Sequence, residues 1–174
     1  MERPYLDAVS SHLQLGASVL DLGCGAGVPI ARHFIDGGYA VTGVDAASAM
    51  IARCRERFPQ AEWIEADMRG LSLGRRFDAI IAWDSFFHLD QDEQRAMFPV
   101  FERHIEPGGV LLFTSGPEEG AKFGAMYGED LLHASLASDE YRSLLASTGF
   151  QVLRFQPEDP NCGGHTIWLA HATQ

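Results

Sequence analysis

Val19-Leu20-Asp21-Leu22-Gly23-Cys24-Gly25-Ala26-Gly27 reads as an apolar strand that ends on an acid and turns at once through three alternating glycines. Glycine lacks a Cβ and enters left-handed backbone without strain, so three of them in five residues mark a sharp bend that something approaches closely. A strand, a glycine-rich turn and a helix in succession are the arrangement that holds nucleotide-type cofactors against backbone amides. The dinucleotide fingerprint requires its third glycine three residues after the second. That position is Val28, and the glycine falls at 27 instead, so the spacing disfavours NAD and FAD. Asp21 points the same way, because a carboxylate at the strand end accepts from an ammonium group, which a pyrophosphate does not offer.

Composition narrows the partners. With 174 residues and 46% hydrophobic content, the chain suits a single domain over residues 1–174 with a core of useful size. Twenty-four acids stand against 13 Lys plus Arg, giving a formal charge of −11 with no long basic run, which argues against a nucleic-acid substrate. Cys24, Cys54 and Cys162 make neither an even disulfide framework nor a CxxC pair, so a reducing, cytoplasmic setting is expected. Met1 to Leu15 mixes charged and apolar residues. It suits a short N-terminal helix and offers no signal or spanning segment, so no membrane partner is expected.

Strand and helix patterns alternate along the chain, which predicts a mostly parallel sheet with helices on both faces. Strands are expected at Val19–Leu22, Tyr39–Val44, Trp63–Glu65, Phe77–Trp83, Val110–Thr114, Gly149–Phe155 and His165–Ala170. Helices are expected from Val28 to Asp36, Ser48 to Phe58, Gln91 to Ile105 and Ser138 to Ser147, with Pro107-Gly108-Gly109 as a turn. The alternation in the last strand suggests an antiparallel partner. Ser115 to Asp139 interrupts the pattern with Gly116, Gly120, Gly124 and Gly128 beside Met126, Tyr127 and His133. This insertion reads as a lid over an active site or as a plain surface loop.

Asp45 ends the second strand about 20 residues beyond the glycine turn, where an acid can accept both hydroxyls of a ribose or cap the helix that follows. Asp67 follows the third strand, where the plain reading is a turn acid. A glycine turn with an ammonium-accepting acid and acids at successive strand ends resembles the class I S-adenosylmethionine-dependent methyltransferases. That resemblance implies an α/β, Rossmann-like seven-stranded sheet of order 3-2-1-4-5-7-6 with strand seven antiparallel. It implies S-adenosylmethionine as cofactor, with S-adenosylhomocysteine as product. The cofactor is then expected against Asp21, Gly23, Cys24, Gly25, Gly27, Asp45, Ala46, Asp67, Met68 and Trp83. In this reading Asp67 accepts from the adenine amino group and Met68 packs on the base.

The fourth strand delivers Trp83-Asp84-Ser85-Phe86-Phe87-His88-Leu89 to the mouth of the cleft. Asp84 suits an orienting role. His88 suits either a proton acceptor, its free-solution pKa lying near ~6.5, or a structural hydrogen bond. His133 is a second catalytic candidate and His165 a weaker third. Their spacing with Cys162 does not suggest a metal site. The run through Asp67, Trp83 to Leu89 and Gly163-Gly164-His165-Thr166 resembles small standalone bacterial methyltransferases that act on low-molecular-weight acceptors. Methyl transfer to an O, N or S atom of a small molecule is the expected function. A non-catalytic cofactor-binding partner or sensor, and more remotely an NAD-dependent oxidoreductase, are the alternatives. Only about eighteen residues precede the first strand, fewer than such relatives carry, so a truncated chain or a more open cleft is also an expectation. No oligomeric state follows from the sequence.

Overall fold

The computed structural model describes residues 2–126 and 129–173. Its elements in chain order are α1 (Arg3–Ser10), β1 (Ser18–Leu22), α2 (Ile30–Asp36), β2 (Ala40–Asp45), α3 (Ser48–Arg57), β3 (Glu62–Glu65), β4 (Phe77–Ala82), α4 (Gln91–His104), β5 (Ile105–Ser115), β6 (Gly120–Met126), β7 (Glu129–Ser135), α5 (Ser138–Ser147), β8 (Phe150–Asp159) and β9 (His165–Ala172). Short 3₁₀ turns at Phe86–His88 and Pro160–Cys162 follow β4 and β8.

Seven strands form one sheet in the order β3-β2-β1-β4-β5-β9-β8, and β6 and β7 form a separate pair. With that pair set aside, the order is the expected 3-2-1-4-5-7-6. The ladder is parallel from β3 to β5, and β9 runs antiparallel to both β5 and β8. The central strands are buried on both faces, which is why they read as nearly continuous apolar runs.

Strand alternation divides the core in two. Leu20, Leu22, Ile80, Ala82, Leu111 and Phe113 point to the α4/α5 face, where they meet Phe98, Phe101, Tyr141 and Leu145. Val19, Ala79, Ile81, Val110 and Leu112 point to the opposite face, against Tyr5 and Leu6 of α1, Phe34 of α2 and Ile51 of α3. Phe113 stacks on Trp168 at 5.8 Å between ring centres, so the antiparallel β9 is held by side chains as well as by its ladder.

Several expected boundaries move for local reasons. Pro29 is the N-cap of α2, which therefore starts at Ile30, and the N-terminal helix ends at Ser10. Pro107-Gly108-Gly109 does not precede β5 but bulges within it: Phe77 pairs with Ile105 and Ala79 with Val110, with Gly108 at φ +82°. The expected start of α4 at Gln91 holds, fixed by a reciprocal capping box of Asp90 and Glu93.

The interrupted segment is a β-hairpin, with Gly120 paired to Ser135 and Lys122 to His133. Tyr127 and Gly128, on which the lid reading partly drew, lie outside the described residues, and the side chain of Met126 is not described. The β7 side of the hairpin is tied down. Gln91 and Gln94 side chains donate to the Ser135 and Ala134 carbonyls at 2.9 and 2.8 Å, and Tyr141 accepts from Leu136 N–H at 3.1 Å. This segment is a hydrogen-bonded wall along its base.

Candidate active site

The glycine turn leaves β1 with Gly23, Gly25 and Gly27 at φ +73°, +52° and +76°, so all three need the freedom that glycine provides. Their surroundings differ. A Cβ on Gly23 would stand 2.3 Å from the Ser85 Cβ, and one on Gly27 would press on Phe58 and Cys54 at 3.2 and 3.3 Å. At Gly25 nothing among the described residues lies within 4 Å. Two of the three glycines thus clear this chain's own side chains. Ser85 comes so close because its hydroxyl donates to the Leu22 carbonyl at 2.7 Å, drawing the turn after β4 across the end of β1.

Asp21 lies between Gly43 of β2 and Ile81 of β4. It is only 2% exposed, and its Oδ2 has no hydrogen-bond partner among the described residues. Burial, reinforced by the nearby Asp45 charge, pushes its pKa up to about 7. A buried carboxylate oxygen without a donor is costly, and Asp21 stands two residues before the glycine turn. A ligand that brings an ammonium group would satisfy it.

Asp45, at the end of β2, accepts from Gly25 N–H through Oδ2 and from Ala47 N–H through Oδ1, both at 2.8 Å. The N-cap of α3 is Ala47, which carries no capping side chain; Asp45 instead ties the turn before that helix to the glycine turn. Each carboxylate oxygen keeps a further acceptor position, directed from the residue that borders the open Gly25. Ala46 beside it is exposed.

Three other expected cofactor contacts look different in place. Cys24 is buried, and its N–H, like that of Gly23, donates to the Val44 carbonyl, at 3.1 and 2.8 Å. Burial and the Asp21 charge push its thiol well up from the usual range, and its side chain is part of the core beneath α1 and α3. Trp83 is buried against Tyr5 at 5.9 Å; it continues the Ala79, Ile81 face of β4 and so turns under α1. Asp67 is gripped by Arg69, whose Nε donates to its two oxygens at 3.0 and 2.9 Å, and Arg69 also bonds Glu93. The guanidinium holds the Asp67 carboxyl below the usual range. Met68 lies against Gly23, its methyl 3.2 Å from where a Cβ would stand.

Beyond β4 the backbone enters the left-handed region at Asp84, φ +49°, uncommon for a residue with a side chain. Its N–H donates to the Thr114 hydroxyl at 2.8 Å, and its carboxylate lies 3.7 Å from His165 Nε2. Burial raises its pKa, with His165 opposing that shift. Phe86 sinks into the core. Phe87 is stacked between two imidazoles, His133 at 5.2 Å and His165 at 5.0 Å. These three rings, with Ser135, Lys122 and Gly163, line a cavity of about 390 Å³ roofed by the hairpin. Desolvation lowers the His133 pKa, and His88 and Lys122 add to the effect, which favours a neutral ring.

His88 does not line that cavity. Its Nδ1 lies 3.0 Å from the Leu132 carbonyl, so that nitrogen carries the proton and holds β7 in place, while its ring meets His133 edge-on at 4.9 Å. The structural reading of His88 is the one its surroundings match. Ser85 and the Phe87 sandwich carried no sequence signal beyond their nearness to β4. Among the described residues no group of three or more His, Cys, Asp or Glu is placed to hold a metal ion.

Asp21 also makes stability depend on pH. Its pKa is raised on folding, so the native state binds the proton more tightly than the unfolded chain between about pH 4 and about pH 7. Stability from this group is therefore present at the acid end of that window and lost as pH rises through it. Asp21→Asn is expected to flatten the fall in Tm over that window and to raise Tm near neutrality, measured by thermal unfolding from pH 4 to 8. A Tm profile that keeps its slope in the variant would assign the titration elsewhere.

Comparison with known proteins agrees with this arrangement. A family model described as a methyltransferase domain matches residues 19–109, just over half of the chain. A dTDP-3-amino-3,6-dideoxy-alpha-D-glucopyranose N,N-dimethyltransferase of Streptomyces fradiae is 39% identical over 106 residues, 60% of this chain and 41% of that protein. The chain thus spans less than half the length of the curated relatives it matches. Among solved structures, an amino pentose methyltransferase of Micromonospora echinaspora superposes with a TM-score of 0.77 at 21% identity, over 98% of this chain and 89% of that one. A Burkholderia thailandensis 1,6-didemethyltoxoflavin-N1-methyltransferase gives 0.79 at 22% identity, over 99% and 78%. No helix among the described residues is long and apolar enough to cross a membrane. The glycine turn and the acids Asp21 and Asp45 lie within the matched segment, and the chain belongs to the methyltransferase-domain family.

Proposed function

We propose that this chain binds S-adenosylmethionine and transfers its methyl group to a small molecule, with nitrogen as the acceptor atom. The observation that carries this reading is the buried Asp21 Oδ2, without a hydrogen-bond partner among the described residues, at the end of the strand that runs into a glycine turn in which Gly25 alone of the three faces open space. Asp21 would receive the amino group of the methionine part, Asp45 the ribose hydroxyls, and Asp67 with Met68 the adenine. The solved relative from Micromonospora is described as having S-adenosylmethionine bound, which supports the same occupant here.

The bound sulfonium supplies a methyl carbon that is already activated, so the protein's work is alignment and exclusion of water. The hairpin wall and the Gly163–His165 turn would enclose the acceptor between them. Two named relatives act on amino sugars, and Glu118 and Glu119, which line the cavity, with Asp84 beside the lining His165, suit an acceptor that arrives as an ammonium ion. Such an acceptor must lose a proton before its nitrogen can attack. His133, kept neutral by its surroundings, and His165, beside Asp84, are the groups that could take it. The charge of −11 supports a small acceptor over a nucleic acid.

The test is a screen of small amines, phenols and thiols with labelled cofactor, followed by variants on the best acceptor. His165→Ala is expected to lower kcat/KM by about 10²-fold or more, the usual range for losing a proton-transfer group, while S-adenosylhomocysteine affinity stays unchanged. His88→Ala is expected to lower Tm through the lost contact with β7. Full-rate turnover by His165→Ala would remove it from the chemistry.

A further inference from the structure

The turn that presents His165 is built on a buried acid, and that acid is held from the far end of the chain. The Tyr5 hydroxyl donates to Asp159 Oδ2 at 2.5 Å, across 154 positions of sequence. The other oxygen, Oδ1, accepts from Asn161 N–H at 2.9 Å and from the Asn161 side-chain amide at 3.2 Å. The Asp159 carbonyl accepts from Gly164 N–H at 2.9 Å, and Asp159 pairs with His165 across β8 and β9. One residue therefore closes the whole loop from Asp159 to His165 with its side chain and its backbone. Gly163 and Gly164, both at positive φ, bend the chain tightly, and a Cβ on Gly163 would stand 3.4 Å from the His165 ring. The imidazole is thus confined between Gly163 and Phe87, facing Asp84.

Tyr5 itself is fixed. It is buried in α1 beside Trp83, and the Arg154 guanidinium of β8 covers its ring at 4.5 Å. Burial and the Asp159 hydrogen bond push its pKa up to about 12, so the hydroxyl remains a donor at physiological pH. With both partners buried, the bond cannot be replaced cheaply by water.

We propose that Tyr5 is a positioning residue for the acceptor side of the site: through Asp159 it sets the Gly163–His165 turn and hence the place of the His165 imidazole in the cavity. The functional consequence rests on the reading of that cavity as the acceptor site, but the coupling itself is read without acceptor or cofactor. The ring carbon-bound proton signals of His165, assigned by their loss in His165→Gln, report its stacking on Phe87 in solution NMR. Tyr5→Phe keeps the aromatic ring and removes only the hydroxyl. It is expected to shift and broaden the His165 signals while those of His12 and His104, elsewhere in the fold, stay in place. Asp159→Asn is expected to move the same signals, and the double variant to add nothing further, as for two members of one coupled contact. S-adenosylhomocysteine affinity should stay within about twofold throughout. Unmoved His165 signals in folded Tyr5→Phe, or additive shifts in the double variant, would overturn the proposal; if Tyr5→Phe does not fold, Asp159→Asn alone carries the comparison. Failure of the wild type to bind S-adenosylhomocysteine would count against the methyl-transfer reading and leave this coupling to be judged on the ring signals.

Discussion

Gly23→Ala is expected to destabilise the fold by about 2–4 kcal/mol, combining the cost of overpacking with that of an alanine in left-handed backbone. The added methyl would fall 2.3 Å from the Ser85 Cβ and 2.8 Å from its hydroxyl. Ser85 cannot simply step aside, because its hydroxyl is bonded to the Leu22 carbonyl. The same substitution at Gly25 separates fold from function. There the methyl meets nothing within 4 Å, so only the backbone term of about 1–2 kcal/mol remains. Its methyl would occupy the space assigned to the cofactor. Gly25→Ala is therefore expected to unfold at a Tm closer to wild type than Gly23→Ala does, yet to bind S-adenosylhomocysteine at least tenfold more weakly, roughly 1.4 kcal/mol. Thermal unfolding and calorimetric titration of both variants check the contrast. Equal Tm losses with unchanged binding at Gly25 would show that its open side faces no ligand.

The second large effect is expected at Asp45. Its two oxygens hold the N–H groups of Gly25 and Ala47, so Asp45→Ala removes a support of the turn as well as the ribose acceptors assigned to it. Leaving donors unpaired costs about 1–3 kcal/mol. S-adenosylhomocysteine affinity is expected to fall by about 10- to 100-fold on that basis. Asp45→Asn retains one acceptor oxygen and should lose less. Adenosine, which shares the ribose, should lose affinity in the same proportion, whereas methionine should not. Equal losses for the two fragments would place Asp45 in the turn's support and not against the ribose.

The parts of this molecule that obey local rules were legible in the sequence. The apolar runs of β1, β4 and β5 announce strands buried on two faces, and the acids at 21 and 45 stand where the chain leaves the sheet. The order of the sheet required the family resemblance, since alternation alone predicts parallel strands without ranking them. The burial of Trp83 follows the period-two pattern: Ala79, Ile81 and Trp83 share one face, and that face is covered by α1. From Ser115 to Asp139 the sequence reads as a lid or a plain surface loop because its glycines hide the strand signal of the hairpin from Gly120 to Ser135. Contacts made over long sequence separations left no trace at all. Nothing near Ser85 tells that it presses on Gly23, and nothing near Tyr5 tells that it meets Asp159. The rank of the histidines depended on such contacts, which set His165 beside Asp84 and gave His88 to the Leu132 carbonyl.

Calorimetric titration of the purified chain with S-adenosylhomocysteine, with NADH as the control, tests the central claim most directly. Binding in the micromolar range, about −8 kcal/mol, with no heat from NADH, is the result expected of Asp21, Gly25 and Asp45 as placed here. Affinity for NADH, or no affinity for S-adenosylhomocysteine, would contradict it.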